Sequence, residues 1–200
     1  MVLNDRDMLI LRNIFRWRVV LGRHIKELSG FSGERACERR LKILFDNKLI
    51  ERQKYLYGVS YVYSLTHKAR VLLGLNPNKT RVRLDEMRHD ILVLDVVIKL
   101  MVTLGLKTTD FVSEKEMQTQ KGFGTREHRP DFLYIQNNQK IACEIETSVK
   151  PKSKLGKNVK DNFLNYSRQV WFLEQEGDKK ITMNLEEFQK SYPNIEIAYI

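Results

Sequence analysis

The sequence predicts an α+β fold divided between two domains, and three features support this division. Apolar residues recur at helical spacing through the first 47 positions and then alternate with polar residues up to position 65. After a polar stretch at residues 76–83, helical and strand-like segments alternate to the end of the chain. Positive charge is also unequal: residues 1–80 contain 16 Lys and Arg against 7 Asp and Glu, whereas residues 81–200 contain 19 against 18. We therefore expect domains at residues 1–75 and 82–200.

The first domain is expected to be a winged helix-turn-helix. Periodicity predicts helices at residues 5–19, 23–28 and 32–47, the last capped by Ser32. A hairpin at residues 52–65 would form the wing, turning near Tyr57 and Gly58. The predicted inner face of the third helix consists of its apolar residues, Ala36, Cys37, Leu41, Ile43 and Leu44. Three helices followed by a two-stranded wing are the elements of this DNA-binding motif.

Double-stranded DNA is the expected partner of the first domain, because its surplus of positive charge suits a polyanion. The predicted contacts on the third helix are Arg35, Arg39, Arg40 and Lys42, and those on the wing are Arg52 and Lys54. In this motif the third helix enters the major groove and the wing touches the backbone or minor groove. The alternative is a solvated helix on which Glu34 and Glu38 pair with the arginines.

The second domain alternates helices and strands. A helix at residues 85–104 precedes strands at 108–114, 131–136 and 140–146, and a Gly- and Gln-rich loop is expected at 118–129. A helix at residues 155–166, a strand at 170–173, a helix capped by Asn184 and a strand at 195–200 complete the predicted order. The order is that of a mixed α/β layer structure.

Three carboxylates are predicted to converge in this second domain. If Asn137 and Asn138 form a two-residue hairpin turn, residue 131 pairs with residue 144. Asp131 and Glu144 would then stand side by side, with Glu146 two residues along on the same face. Clustered oxygen ligands suit Mg²⁺ or Mn²⁺, so we expect such a cofactor here. An exposed acidic hairpin face without metal is the alternative.

These residues resemble the PD-(D/E)xK nuclease superfamily, with Pro130-Asp131 at its PD and Glu144-Ile145-Glu146 at its (D/E)-x-K. More narrowly, the order of a winged helix, a helix with a His, R-P-D, E-x-D/E and a helix with a Tyr, here Tyr166, resembles the replication-relaxation proteins and the MobC-type mobilisation relaxases. The resemblance implies a restriction-endonuclease-like domain that cleaves DNA with a divalent metal, and it gives His89 a role in the site.

Glu146 stands where the superfamily has a lysine that helps to activate water. Three outcomes are open at this point. Lys150 or Lys152 reaches the same space, a mechanism uses the metal alone, or activity is lost.

The expected function is therefore metal-dependent nicking or relaxation of DNA for a plasmid or mobile element, with replication or mobilisation proteins as further partners. The alternative is a non-catalytic DNA-binding accessory or regulator of plasmid replication or transcription. The polar start of the chain and the charges within residues 91–104 predict a cytoplasmic protein without a membrane span. Cys37 and Cys143 have no metal-ligand spacing and are expected to be reduced core residues.

Overall fold

The computed structural model describes residues 2–55, 57–58, 60–76, 83–121 and 128–200. The chain divides into two compact units, Met1–Val102 and Thr103–Ile200. Within the described residues there are eight α-helices, one three-stranded sheet and one five-stranded sheet. The predicted α+β fold class is confirmed. A membrane-crossing helix is absent from the described part of the chain, since none of its helices combines the necessary length and hydropathy.

The first unit contains five helices and three short strands within its described residues. They are α1 (Asp5–Arg16), β1 (Val20–Leu21), α2 (Gly22–Leu28), α3 (Glu34–Asp46), β2 (Ile50–Gln53), β3 (Val62–Leu65), α4 (His67–Leu72) and α5 (Met87–Leu104). The strands pair antiparallel in the order β1-β3-β2. Thr66 caps α4, because its hydroxyl accepts a hydrogen bond from the Ala69 N–H.

The third helix differs from its prediction at its start and on its inner face. It begins at Glu34 after the N-cap Gly33 rather than after Ser32, and no side chain caps it. Cys37, Leu41 and Leu44 are buried as predicted, but Ile43 is 41% exposed. Ile43 lies about 100° around the helix from Leu44, which turns it out of the apolar stripe.

Helix α5, which was predicted to belong to the second domain, lies in the first unit apart from its last two residues. Its first residue, Met87, packs with Val19, Leu21 and Val62 in one buried cluster. This apolar contact is a physical reason for the helix to stay with the first unit. Of the predicted linker, residues 77–82 lie outside the described residues.

The second unit is built on the five-stranded sheet. After a short 3-10 turn at Thr108–Asp110 come β4 (Phe111–Ser113), α6 (Glu114–Lys121), β5 (Phe132–Gln136), β6 (Gln139–Glu146), α7 (Lys152–Asn165), β7 (Arg168–Leu173), α8 (Lys179–Gln189) and β8 (Ile195–Tyr199). The strand order is β4-β5-β6-β7-β8. Strands β4 to β6 pair antiparallel, and β6 to β8 pair parallel.

Helix α6 and the start of α8 were predicted wrongly. Helix α6 occupies residues expected to end a strand and begin a loop, and Glu116 accepts hydrogen bonds from the Ser113 N–H and hydroxyl at its start. Helix α8 begins at Lys179, capped by Asp178 and not by Asn184. In each helix a side chain satisfies a free N–H of the first turn: the Ser113 hydroxyl accepts from the Glu116 N–H, and the Asp178 carboxylate accepts from the Lys180 N–H.

One face of this sheet is covered by α7 and α8. The buried residues that pack there are Leu155, Val159, Trp171, Leu173, Ile181, Leu185 and Ile195. In the parallel register Glu144 pairs with Trp171 and Glu146 with Leu173. Directly paired residues share a face, so both glutamates lie on the face that α7 covers.

Candidate functional site

Asp131, Glu144 and Glu146 of the second unit are called the acid cluster here, and a two-residue turn sets its geometry. Asn137 and Asn138 have φ values of 51° and 62°, as a type I′ hairpin turn requires. Phe132 pairs with Cys143, so the predicted register of this hairpin is confirmed. One residue further along, the same register opposes residues 131 and 144.

Asp131 is held at the end of strand β6. The Ile145 backbone N–H donates a hydrogen bond of 2.7 Å to Asp131 Oδ2. This bond keeps the carboxylate against the strand that carries Glu144, and Asp131 adds to the negative electrostatic environment of that glutamate. The two acids are therefore brought together as predicted.

The Glu144 carboxylate is buried and receives two hydrogen bonds at one oxygen. His128 Nε2 lies 2.5 Å from Glu144 Oε1, and Asn162 Nδ2 lies 2.8 Å from the same oxygen. Asn162 comes from α7 and His128 from the segment before β5, so separate parts of the chain meet at this oxygen. Glu144 is 3% exposed and Asn162 is 1% exposed.

Glu146 pairs with a lysine that follows it in the chain. Lys150 Nζ lies 2.8 Å from Glu146 Oε2. Lys152 instead lies 2.6 Å from Glu187 on α8. Of the two lysines considered for the place of the motif lysine, Lys150 is the one next to the acids.

Ionisation of these groups follows from burial and mutual charge. Burial raises the pKa of Glu144, nearby Asp131 raises it further, and the hydrogen bond from His128 offsets part of the rise. Burial likewise raises the pKa of Glu146, partly offset by Lys150. Although burial alone would lower the pKa of Lys150, Glu146 and the other acids raise it above its usual value. The lysine therefore carries a positive charge at neutral pH.

The three predicted metal ligands are not gathered into one metal-binding group in the described part of the chain. Among the residues described, no group of three or more His, Cys, Asp and Glu side chains is arranged to hold a metal ion. The predicted set of Asp131, Glu144 and Glu146 does not form such a group, and Glu146 is paired with Lys150. Mg²⁺ commonly uses one or two carboxylates and keeps several waters and substrate phosphates, so Asp131 and Glu144 are the residues that could hold it.

The predicted DNA contacts on α3 fall into two groups. Arg40 forms an ion pair with the buried carboxylate of Asp7, the residue that also completes the cap of α1. Lys42 Nζ lies 2.7 Å from Asp46 Oδ2, one turn along the same helix. Arg35 and Arg39 are exposed, and no ion pair of either is found in the described part of the chain. They are the cations that α3 presents most freely to solvent.

The cations of the predicted wing lie over aromatic rings. The Arg52 guanidinium lies 4.9 Å from the Phe45 ring centroid and 4.8 Å from that of Tyr61. Lys54 Nζ lies 6.0 Å from the same Tyr61 ring. Such cation–π contacts restrict a long side chain while leaving the edge of its charged group accessible. Tyr57, at the predicted turn, is fully exposed.

Comparison with known proteins gives one match. The family whose sequence pattern fits the chain is described as replication-relaxation, and the match covers residues 11–182. The chain belongs to the replication-relaxation family. No curated protein and no solved structure matches it significantly. Membership indicates a role in plasmid or mobile-element replication or relaxation.

In this replication-relaxation protein, His89 lies on α5 of the first unit, where its Nδ1 is 3.4 Å from Asp90 Oδ1. Its predicted role in the site stays a prediction. Tyr166 packs against a cluster formed by Met117, Leu133 and Ala142.

Two residues that contact the acid cluster were not predicted from the sequence. His128 precedes Asp131 by three residues and belongs to no periodic segment, so no local pattern marks it. Asn162 follows Leu155 and Val159 at helical spacing on a buried face. A polar residue on an otherwise apolar helix face is a pattern by which Asn162 could have been found in the sequence.

Proposed function

We propose that this replication-relaxation protein binds duplex DNA through its first unit and cleaves one strand through its second. The observation that carries the proposal is the pairing of Asp131 with Glu144 at the end of the hairpin, beside the ammonium of Lys150. Carboxylates beside a lysine are suited to holding a divalent cation and a phosphate together. Nothing else among the described residues gathers comparable chemistry.

In this proposal the first unit is a winged helix. Its order of helix, strand, two helices and two strands, with an antiparallel sheet, supports that assignment. Arg35 and Arg39 would meet phosphates and base edges in the major groove, and Arg52 and Lys54 would meet the backbone from the wing. Arg40 would act on DNA only indirectly, by tying α3 to α1.

The second unit, in this proposal, is a restriction-endonuclease-like domain of the PD-(D/E)xK type. Its mixed sheet and the position of the acids at the ends of β5 and β6 support that assignment. Asp131 and Glu144 would hold Mg²⁺ or Mn²⁺. Such a cation, when bound, polarises a phosphate and lowers the pKa of a water molecule. Glu146, the predicted third ligand, has its Oε2 paired with Lys150.

In the reaction proposed, the oxygen of a water molecule bonds to phosphorus, and the bond from phosphorus to one deoxyribose oxygen breaks. The attacking water loses a proton and the departing oxygen gains one, which leaves a phosphate monoester and a hydroxyl. Asp131 and Glu144 would hold the cation, and the charge of that cation would help to orient the phosphate. The ammonium of Lys150 offsets negative charge that develops on the phosphate, which is the role expected of a fixed cation in a water-poor site.

A test of this proposal relocates the lysine. Strand cleavage of supercoiled DNA in Mg²⁺ should fall about 100-fold in Lys150→Ala, since one electrostatic contact to the transition state is lost. The double variant Glu146→Lys/Lys150→Ala should recover part of it, because the ammonium returns from the motif position. Lys152→Ala, paired with Glu187 outside the acid cluster, is the matched control and should cleave normally. Full activity of Lys150→Ala would contradict the role given to this lysine.

A second candidate function is a non-catalytic DNA-binding accessory or regulator of plasmid replication or transcription. The ion pair between Glu146 and Lys150 favours it, because the protein's own lysine then neutralises part of the acid cluster without a metal. This function predicts tight DNA binding with no strand cleavage in any divalent cation.

A further inference from the structure

The hydrogen bonds at Glu144 are unequally distributed over its two oxygens. His128 and Asn162 both approach Oε1, at 2.5 and 2.8 Å. When Glu144 is ionised it only accepts hydrogen bonds, so Nε2 of His128 must then carry a proton, and Nδ2 of Asn162 is the amide atom that faces the acid. Two donors on one oxygen fix the rotation of the carboxyl group and leave Oε2 as the oxygen for other partners.

The orientation of Asn162 has a cost that points to function. Its Oδ1 is buried and has no hydrogen-bond partner among the described residues. Leaving a buried acceptor without a donor lowers stability. Turning the amide over would place Oδ1 against the carboxylate of Glu144, where two acceptors repel. The amide therefore holds Glu144 at the expense of its own oxygen.

We propose that His128 and Asn162 are a positioning pair, which holds Glu144 through Oε1 so that Oε2 is presented to the divalent cation beside Asp131. The pair acts through Glu144 and does not itself bind the cation. This inference rests on the proposed function. It adds two residues from separate parts of the chain to the site, and neither carries a carboxylate.

Hydrogen-bonded partners of a metal ligand typically change metal affinity or activity by about 10- to 100-fold when removed. We therefore expect His128→Ala and Asn162→Ala each to weaken Mn²⁺ binding, measured by titration calorimetry on the full chain, by about that factor. His128→Gln should stay close to the wild type, because the glutamine amide offers an N–H near the position of Nε2. Asn165→Ala, an exposed change on the same helix, is the control, since the Asn165 amide donates to the Asp161 carbonyl within α7.

A second measurement uses no metal. In ¹⁵N spectra of the histidine rings, His128 should appear as the Nε2–H form, and its signals should move in Glu144→Gln. His24 is an internal reference, since its Nδ1 accepts from the Leu21 N–H and its Nε2 lies 3.0 Å from Asp95 in the first unit. Its signals should not move.

The outcomes separate this inference from the proposed function. Wild-type Mn²⁺ affinity in both His128→Ala and Asn162→Ala, with both proteins folded, would overturn the positioning pair while leaving metal-dependent cleavage in place. If the wild type binds no Mn²⁺, the proposed function fails. The spectra still decide the hydrogen bond: a His128 ring unaffected by Glu144→Gln would overturn it.

Discussion

Among single residues, Glu144 shows how the protein keeps a charged group in its interior. Burial disfavours the ionised carboxyl, and nearby Asp131 disfavours it further. The N–H groups of His128 and Asn162 compensate in part. The pKa of Glu144 nevertheless remains raised, so ionising this group costs the folded protein stability.

The pH dependence of stability tests whether the pKa of Glu144 is raised in the folded protein. Because the pKa of Glu144 is raised in the folded state, the unfolded chain loses its proton first as pH rises, and stability falls until pH passes the raised value. Glu144→Gln lacks this loss, because the glutamine amide does not titrate. In chelator, the melting temperature of the variant relative to wild type should therefore increase as pH rises above about 4.5, the ordinary value for a glutamate pKa. A difference independent of pH would contradict the assignment.

At the scale of elements, helix α3 combines a structural and an exposed set of cations. Arg40 reaches back to Asp7 on α1, where that carboxylate is buried and completes a capping box with Asn4. Arg39, the preceding residue, is exposed on the outer face. Neighbouring arginines of one helix therefore have different expected roles.

Alanine variants of these two residues should behave differently. Arg40→Ala leaves Asp7 buried without its cation and should lower the free energy of unfolding by about 3 kcal/mol. Arg39→Ala should change it by less than about 0.5 kcal/mol, as is usual for an exposed site, yet weaken DNA binding. Urea unfolding and a DNA titration of the same two proteins decide the matter. Equal stabilities would show that the Arg40–Asp7 pair is not needed to hold α3 to α1.

Elements with a strong local signal could be predicted from the sequence. The Asn137-Asn138 turn and the alternating strands beside it predict the hairpin and hence the placement of Asp131 beside Glu144. Helix α6 was missed although Ser113 and Glu116 have the spacing of a capping box, because its residues lack an apolar stripe.

The rest of the site depends on contacts between distant segments, which periodicity cannot reveal. His128 and Asn162 lie 16 and 18 residues from Glu144 in the chain. The sequence also left open whether Lys150 or Lys152 lies beside the acids, and Lys152 pairs instead with Glu187, 35 residues along the chain. Local pattern therefore predicts the acids but not their partners.

At the scale of the whole molecule, charge and chemistry are found in different parts of the chain. Residues 1–80 carry nearly all of the net charge of +10, whereas the acid cluster lies in the second unit. We therefore expect DNA affinity to depend on salt mainly through the first unit. Each phosphate contact contributes close to one unit to the slope of log affinity against log salt.

The salt dependence of binding by the full chain tests this expectation. If Arg35 and Arg39 both contact phosphates, the double variant Arg35→Ala/Arg39→Ala should lower that slope by about 2. Lys152→Ala, in the second unit, should leave it unchanged. A double variant with the affinity and salt slope of the wild type would place the DNA interface elsewhere on the protein.

Strand cleavage by Asp131→Asn tests the central claim most directly. Asparagine keeps the size of the side chain and an oxygen that can accept from the Ile145 N–H, but removes the charge that would hold a cation. Wild type should convert supercoiled DNA to nicked circles in Mg²⁺ and not in chelator. The variant should be slower by about 100-fold or more, with DNA affinity within a few-fold of wild type. Wild-type protein that binds the DNA without nicking it, or an Asp131→Asn variant that nicks at the wild-type rate, would contradict the account.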